Sequence, residues 1–410
     1  MKVKAVSIVS LIMFFVAFSL CGFLYIGIPF NRVYLIYIAF AMLILCSAFC
    51  RNAIQSIINN RFLVRYTICV LLITIAGIIY TKSTYGQNFT KSLEVSYPYF
   101  MVLYAIPILC IFIYRDDGLI GFKLLNIFAL MWYIMCFAQV LVYPRIIIHG
   151  YFSSELNPTA YFRGGSLRID LQLYGNFMIV YNFQSFYVKG HDKKHRIFHL
   201  FMTTFGLYEL IFIQQTRMYT LSILCCFLII ILMDKSDNVN GLAKKILVLI
   251  LGIGALLQSS LISNIINSII STNSELSAST NARLYSIEYY FNYFIKHPIF
   301  GISFPNGTDY SSIVHGPIGY ASFDDVGVVG QLARLGVFVI IVYLVLMIRY
   351  LWILLRVKRY LLNEDFILCL SFFVYLLFTS FSLIFLDPQR CFLYPLSLAF
   401  FEYENIKASS

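Results

Sequence analysis

Arg283 has the clearest chemical opportunity in this sequence. It follows Thr280-Asn281-Ala282 and precedes Leu284, Ile287, Phe291 and Phe294, which recur at spacings of three and four. That recurrence predicts a helix with one apolar stripe. Thr280 or Asn281 can cap its start, because either side-chain oxygen can accept from first-turn amides. His297-Pro298 ends the helix, and Gly301 permits a tight turn after it. A cation in the first turn opposes the helix dipole, which favours an anion there. Orphan amides beside a guanidinium make a phosphate site, so Arg283 is a candidate for facing an anionic ligand. The plainer reading is an exposed arginine on an amphipathic surface helix.

A second opportunity lies at Gln214-Gln215-Thr216-Arg217, the tip of a hairpin between apolar stretches at 197–214 and 218–233. An arginine at a membrane boundary is costly unless it meets an aqueous cavity or a partner. Glu209, two turns earlier, is the internal candidate for that partner, in which case the pair simply holds two helices.

The elements that must position these residues are membrane helices. The chain has 410 residues, 60% hydrophobic and only 12% charged, against about 25% charged in a soluble protein. Apolar runs of membrane-crossing length recur from end to end. The fold class expected is an all-α polytopic integral membrane protein, a single membrane domain over 1–410. Twelve spans are expected at about 6–28, 33–50, 62–80, 98–114, 120–143, 171–188, 197–214, 218–233, 246–265, 328–350, 366–386 and 391–403, the last short enough to be re-entrant or tilted. The first run, from Val6 to Ile28, exceeds the ~7–15 residues of a signal-peptide core.

Most of the 30 basic residues fall in one set of short loops, which puts both termini in the cytoplasm. The net charge of +11 then reflects topology and anionic lipid, and calls for no nucleic acid. The ten cysteines lie in or beside apolar stretches; none makes a CxxC or metal-ligand spacing, and no external disulfide framework is available. Three external segments exceed the length of a connector: about 81–97, 144–170 and 266–327. The second carries Arg163 and Arg168 around Gly164-Gly165, as candidate anion contacts or as solvated loop charges. The third, before the tenth span, holds the Arg283 helix, His315 and Asp324-Asp325. Its Tyr285, Tyr289, Tyr290 and Tyr293 suit either sugar faces or a membrane interface.

With these residues in place, the chain resembles the O-antigen polymerase and O-antigen ligase superfamily of Wzy-type polysaccharide polymerases. Gln215-Thr216-Arg217 resembles that family's Ser-Arg or Thr-Arg element opening a span. Asn281-Ala282-Arg283 followed by His297-Pro298-Ile299-Phe300-Gly301 resembles its external Arg…His-Pro-x-x-Gly stretch. Asp324 to Gly336 resembles the loop-to-span transition that follows. The motifs cover roughly 210–345; before that only topology supports the resemblance. One position departs from the family: the His-Asn pair of ligase-like members falls on Asp325 and Val326, which argues against a ligase.

The resemblance implies metal-independent glycosyl transfer at the outer face of the cytoplasmic (inner) membrane, without a cofactor. Donor and acceptor would be glycans on undecaprenyl diphosphate, and flippase and chain-length regulator proteins are candidate partners. The product would be capsular or O-antigen polysaccharide. The general base is then one of Asp324, Asp325 and His315. Arg217 and Arg283, with Arg163 and Arg168 behind them, would hold the diphosphates. The alternatives are a ligase and a lipid-linked oligosaccharide flippase. A flippase calls for several charges deep inside spans, whereas Glu209 is the clear mid-span charge here.

Overall fold

The computed structural model describes residues 9–10, 12, 32–59, 61–148, 162–163, 166–170, 172–187, 192–233, 275–358, 363–388 and 390–409. Within them the chain is helical, apart from a two-residue antiparallel ribbon of β1 (Phe162–Arg163) and β2 (Ser166–Leu167). The helices that matter below are α1 (Val33–Phe49), α2 (Arg51–Asn59), α3 (Arg61–Tyr85), α4 (Phe89–Arg115) and α5 (Ile120–Val142). They continue as α6 (Gln172–Tyr187), α7 (Lys193–Gln214), α8 (Arg217–Met233) and α9 (Glu275–Lys296). The last are α10 (Gly327–Leu335), α11 (Ile340–Val357), α12 (Asn363–Thr379) and α13 (Leu393–Lys407).

Among the described residues, five of these, α3, α4, α5, α7 and α11, are long and apolar enough to cross a membrane. The stretches expected at 33–50, 171–188, 218–233, 366–386 and 391–403 are helices too, but shorter. Those expected at 6–28 and 246–265 lie outside the described residues, save positions 9, 10 and 12.

α13, the shortest expected span, is the hub of the bundle. Every residue from Leu393 to Asn405 is buried. Its polar tail is held from α11, where Arg349 donates to both carboxylate oxygens of Glu402 at 2.8 and 3.0 Å. The same guanidinium lies 4.5 Å from the ring centres of both Phe62 and Trp352. A fully buried carboxylate needs such a partner, since an unpaired charge there costs several kcal/mol.

The expected span at 328–350 divides into two elements. α10 ends at Gly336, whose φ of 60° and ψ of −142° no other residue adopts easily. Hydropathy sees one run, but the glycine turns the chain, and the membrane-length helix is α11. Backbone from the His297–Gly301 turn fills the break. Ile302 N donates to Ala333 O (2.7 Å), Ser303 N to Arg334 O (2.8 Å) and Val337 N to Pro298 O (2.8 Å). The last carbonyls of α10 are thereby satisfied by another segment rather than by its own cap.

The segment from α9 to α10 builds a small core of its own, from Tyr290, Ile302, Val314, Phe323, Val326 and Ala333. This unit runs past position 327, the boundary expected for the loop, as far as the end of α10. It is stitched to the α3–α4 corner through polar contacts. Gln87 Nε2 donates to Phe304 O (2.9 Å) while its Oε1 accepts from Asn306 N (2.7 Å). Tyr310 donates to Tyr85 O (2.6 Å). Lys91 and Asp309 add an exposed ion pair at 2.6 Å. Exposed pairs contribute little because water and salt screen them, whereas Gln87 satisfies two buried backbone groups. Lys91→Ala is therefore expected to leave thermal stability in detergent unchanged, and Gln87→Ala to lower it; equal losses from both would refute this ranking.

Candidate functional site

The structure redistributes the residues singled out by sequence. α9 begins at Glu275, so Arg283 stands more than two turns inside the helix and has no orphan amides beside it. The expected first-turn anion site is thus absent, because Thr280 and Asn281 lie within the helix rather than capping it. Arg283 is half-buried, and among the described residues its guanidinium makes no hydrogen bond or ion pair.

Leu284, Ile287 and Phe291 of the expected stripe are exposed. The tyrosines of α9 point inward: Tyr290 is fully buried, donates to Val314 O at 2.8 Å and stacks on Phe323 at 4.3 Å. Tyr289 donates to Ile313 O at 2.8 Å. Burial, with Tyr293 and Tyr285 adding to it, pushes the Tyr289 phenol up to about 12, so it remains a neutral donor.

His315 is half-buried, and its Nδ1 lies 3.0 Å from Ala321 O. A carbonyl can only accept, so Nδ1 carries a proton, and in the neutral tautomer Nε2 holds the lone pair. That nitrogen lies against Gly307, 2.9 Å from where a Cβ would stand. Asp324 and Asp325 close the 3-10 turn Phe323–Asp325. Ser382 Oγ donates to Asp325 O at 3.3 Å, tying the turn to the segment after α12. Among the described residues no hydrogen bond joins His315 to Asp325. The side chains of Asp324, Arg163 and Arg217 lie outside the described residues; in backbone terms Arg163 pairs with Ser166 across the ribbon and Arg217 opens α8.

Arg168 is brought to the hairpin tip. Its Nε donates to Gln214 O (3.0 Å) and its Nη2 reaches Thr216 Oγ1 (3.4 Å). Gln214 Nε2 in turn donates to Asp170 Oδ1 at 2.5 Å. The chain turns there through Gln215, in the left-handed region at φ 54°. The second loop thus clamps the Gln214–Arg217 tip, with a guanidinium on the helix's last carbonyl.

Glu209 starts the wide last turn of α7, Glu209–Gln214, and is fully buried. Among the described residues neither carboxylate oxygen has a hydrogen-bond partner; the side chain of Arg217, the partner expected for it, lies outside them. An orphaned buried acceptor costs about 1–3 kcal/mol. Glu209→Met is accordingly expected to raise the unfolding temperature in detergent; a fall would show that the carboxyl is satisfied in the membrane.

The most concentrated polar chemistry lies elsewhere, in residues the sequence reading passed over. Asp387 and Arg390 sit in the connection between α12 and α13, yet are 0% and 6% exposed. Arg390 Nη1 donates to Asp387 Oδ2 (3.0 Å) and its Nε to the hydroxyl of Tyr219 on α8 (2.9 Å). Gln331 of α10 donates to the other carboxylate oxygen at 3.1 Å and accepts from the Tyr99 hydroxyl. Asp170 lies within electrostatic reach of Tyr219. One turn along α10, the buried Arg334 lies 4.4 Å above the Phe323 ring, the same ring that stacks on Tyr290.

Three arginines and two aspartates from three chain segments, the second loop, α10 and the α12–α13 connection, thus converge at one end of the bundle, where the α9–α10 unit also sits. Such a group, with cations in excess, suits a phosphate-bearing ligand, which guanidinium binds bidentately. The sequence signal was Asp387-Pro388-Gln389-Arg390, two charges in a four-residue connector between apolar runs. A cleft of about 290 Å³ lined by Phe186, Lys193, Arg196, Ile197 and Leu200 opens at the other end, beside the α6–α7 connection. No family model and no curated protein matches this chain.

Proposed function

We propose that this chain is a membrane-embedded glycosyltransferase that polymerises undecaprenyl-diphosphate-linked repeat units into capsular or O-antigen polysaccharide. In this reading its twelve spans cross the inner membrane with both termini cytoplasmic, and the Arg390 end of the bundle faces outward. The observation that carries it is the buried Arg390–Asp387–Gln331–Tyr219 cluster, with Arg334 and Arg168 beside it.

The chemistry follows from the residues. The acceptor sugar hydroxyl attacks the anomeric carbon of the donor, and the bond from that carbon to the diphosphate oxygen breaks. The departing undecaprenyl diphosphate gains negative charge, which Arg390, Arg334 and Arg168 are suited to stabilise in a site of low dielectric. The hydroxyl proton goes to one of Asp324, Asp325 and His315, and the lone pair on His315 Nε2 makes that histidine competent as a base. Arg217 and Arg163 join the diphosphate contacts in this reading. Arg283, inside α9, is a contact to the glycan or the second diphosphate rather than an anchor at a helix start.

The test is a gel of surface glycan from cells lacking the gene. Single repeat units accumulating at the outer face while long chains vanish is the expected result. Full-length polymer retained on its carrier would instead mark a ligase, and repeat units trapped on the cytoplasmic face a flippase.

A further inference from the structure

The outer face of α9 is apolar and uncovered. Leu284, Ile287, Phe291 and Ile295 are 59, 40, 48 and 59% exposed, and Ile299, just past the helix, is 59% exposed. At about 100° per residue the four helical positions fall within an arc of roughly 80°, opposite the buried Ser286 and the tyrosine face.

Two observations say what covers this stripe. The first is depth. The turn that ends α9 docks along α3 rather than beyond its tip. Ser303 Oγ donates to Gly77 O (3.1 Å), Phe304 N to Thr81 Oγ1 (3.0 Å), and Phe300 stacks on Tyr80 at 4.9 Å. Gly77 precedes the end of α3 at Tyr85 by two turns, about 12 Å at 1.5 Å per residue. The end of α9 therefore lies alongside a membrane-length helix, not above it.

The second observation is continuity. Ile68, Leu72, Ile75 and Ile79 form the exposed stripe of α3, and Ile340, Leu344, Ile348 and Leu355 that of α11. In a bilayer these stripes face acyl chains. Phe300 bridges α3 and the turn that leads into α11, through Tyr80 and, at 5.3 Å, through Phe338. Ile299 and Ile295 thus extend one apolar surface from the two spans onto α9.

We propose that α9 lies in the leaflet at its end of the bundle, with Leu284, Ile287, Phe291 and Ile295 among the acyl chains. The exposed Lys296 sits off the stripe, where its long side chain reaches lipid headgroups. This requires only that α3 and α11 span a bilayer, and holds whether or not the chain transfers sugars.

The experiment uses Phe291→Trp in the full chain, reconstituted into vesicles of phosphatidylcholine brominated on its acyl chains. The parent protein, which has two tryptophans, supplies the background to subtract. The added tryptophan is expected to lose roughly half its emission in brominated relative to plain lipid, as an acyl-embedded indole does, and to resist aqueous acrylamide. Asn292→Trp, off the stripe, should show the reverse. Quenching of Trp at 291 by acrylamide alone would place the face in water. Protection from both quenchers would mean that protein covers it. Either result overturns the proposal, and Leu284→Trp gives the same reading should Phe291→Trp fail to fold.

Discussion

Arg390→Ala is expected to destabilise the protein by about 3–5 kcal/mol, since it strands the fully buried Asp387 carboxylate without its cation. The loss is read as a fall in unfolding temperature in detergent. The double variant Arg390→Met/Asp387→Leu removes both charges and is expected to recover most of it, because well-packed apolar replacements of buried pairs are close to neutral. That variant separates two roles. If the pair only joins the α12–α13 turn to α8 and α10, the double variant folds and makes polymer. If Arg390 also meets the diphosphate, the double variant folds and activity falls by about 100- to 1000-fold, the usual effect of deleting a group that stabilises developing charge. The second outcome is expected.

Gly336→Ala is expected to release the α9–α10 unit from the bundle. A Cβ there would stand 2.3 Å from Ile299 O and 2.4 Å from Pro298 O, both backbone atoms that cannot swing aside. The backbone conformation, φ 60° with ψ −142°, adds strain of its own. Conformational strain alone is about 1–3 kcal/mol, and the collision adds to it, so a loss above about 3 kcal/mol is expected. Limited proteolysis checks it, as new cleavage between His297 and Tyr310 while the fragments holding α3 and α11 stay intact. Gly319 is the control. Its φ is 80°, but nothing lies within 4 Å of a Cβ there, so Gly319→Ala should cost only the strain, about 1–2 kcal/mol.

What the sequence made legible was what hydropathy measures. α3, α5 and α7 lie close to the apolar runs at 62–80, 120–143 and 197–214 because a continuous apolar run long enough to cross a bilayer must be helical. The run at 328–350 misled because hydropathy is blind to backbone conformation, and Gly336 breaks it. α9 misled for the opposite reason. Its tyrosines are expected to meet sugar or a membrane interface, yet Tyr289 and Tyr290 turn inward, where each hydroxyl finds a loop carbonyl. In a membrane protein, apolar residues can face outward at no cost. The Asp387–Arg390 pair was hidden because its charges read as an exposed connector, and only the fold shows that this turn is packed inside. Arg168 was legible as a candidate but not as the clamp on Gln214 and Thr216, a contact that joins segments more than forty residues apart.

Glycosyl transfer itself is tested most directly with purified protein in vesicles, supplied with an undecaprenyl-diphosphate-linked repeat unit as both donor and acceptor. The expected result is a ladder of longer glycans with release of one undecaprenyl diphosphate per step, lost in Arg390→Met/Asp387→Leu. Vesicles that fold and hold the protein yet neither lengthen the glycan nor release the carrier would contradict it.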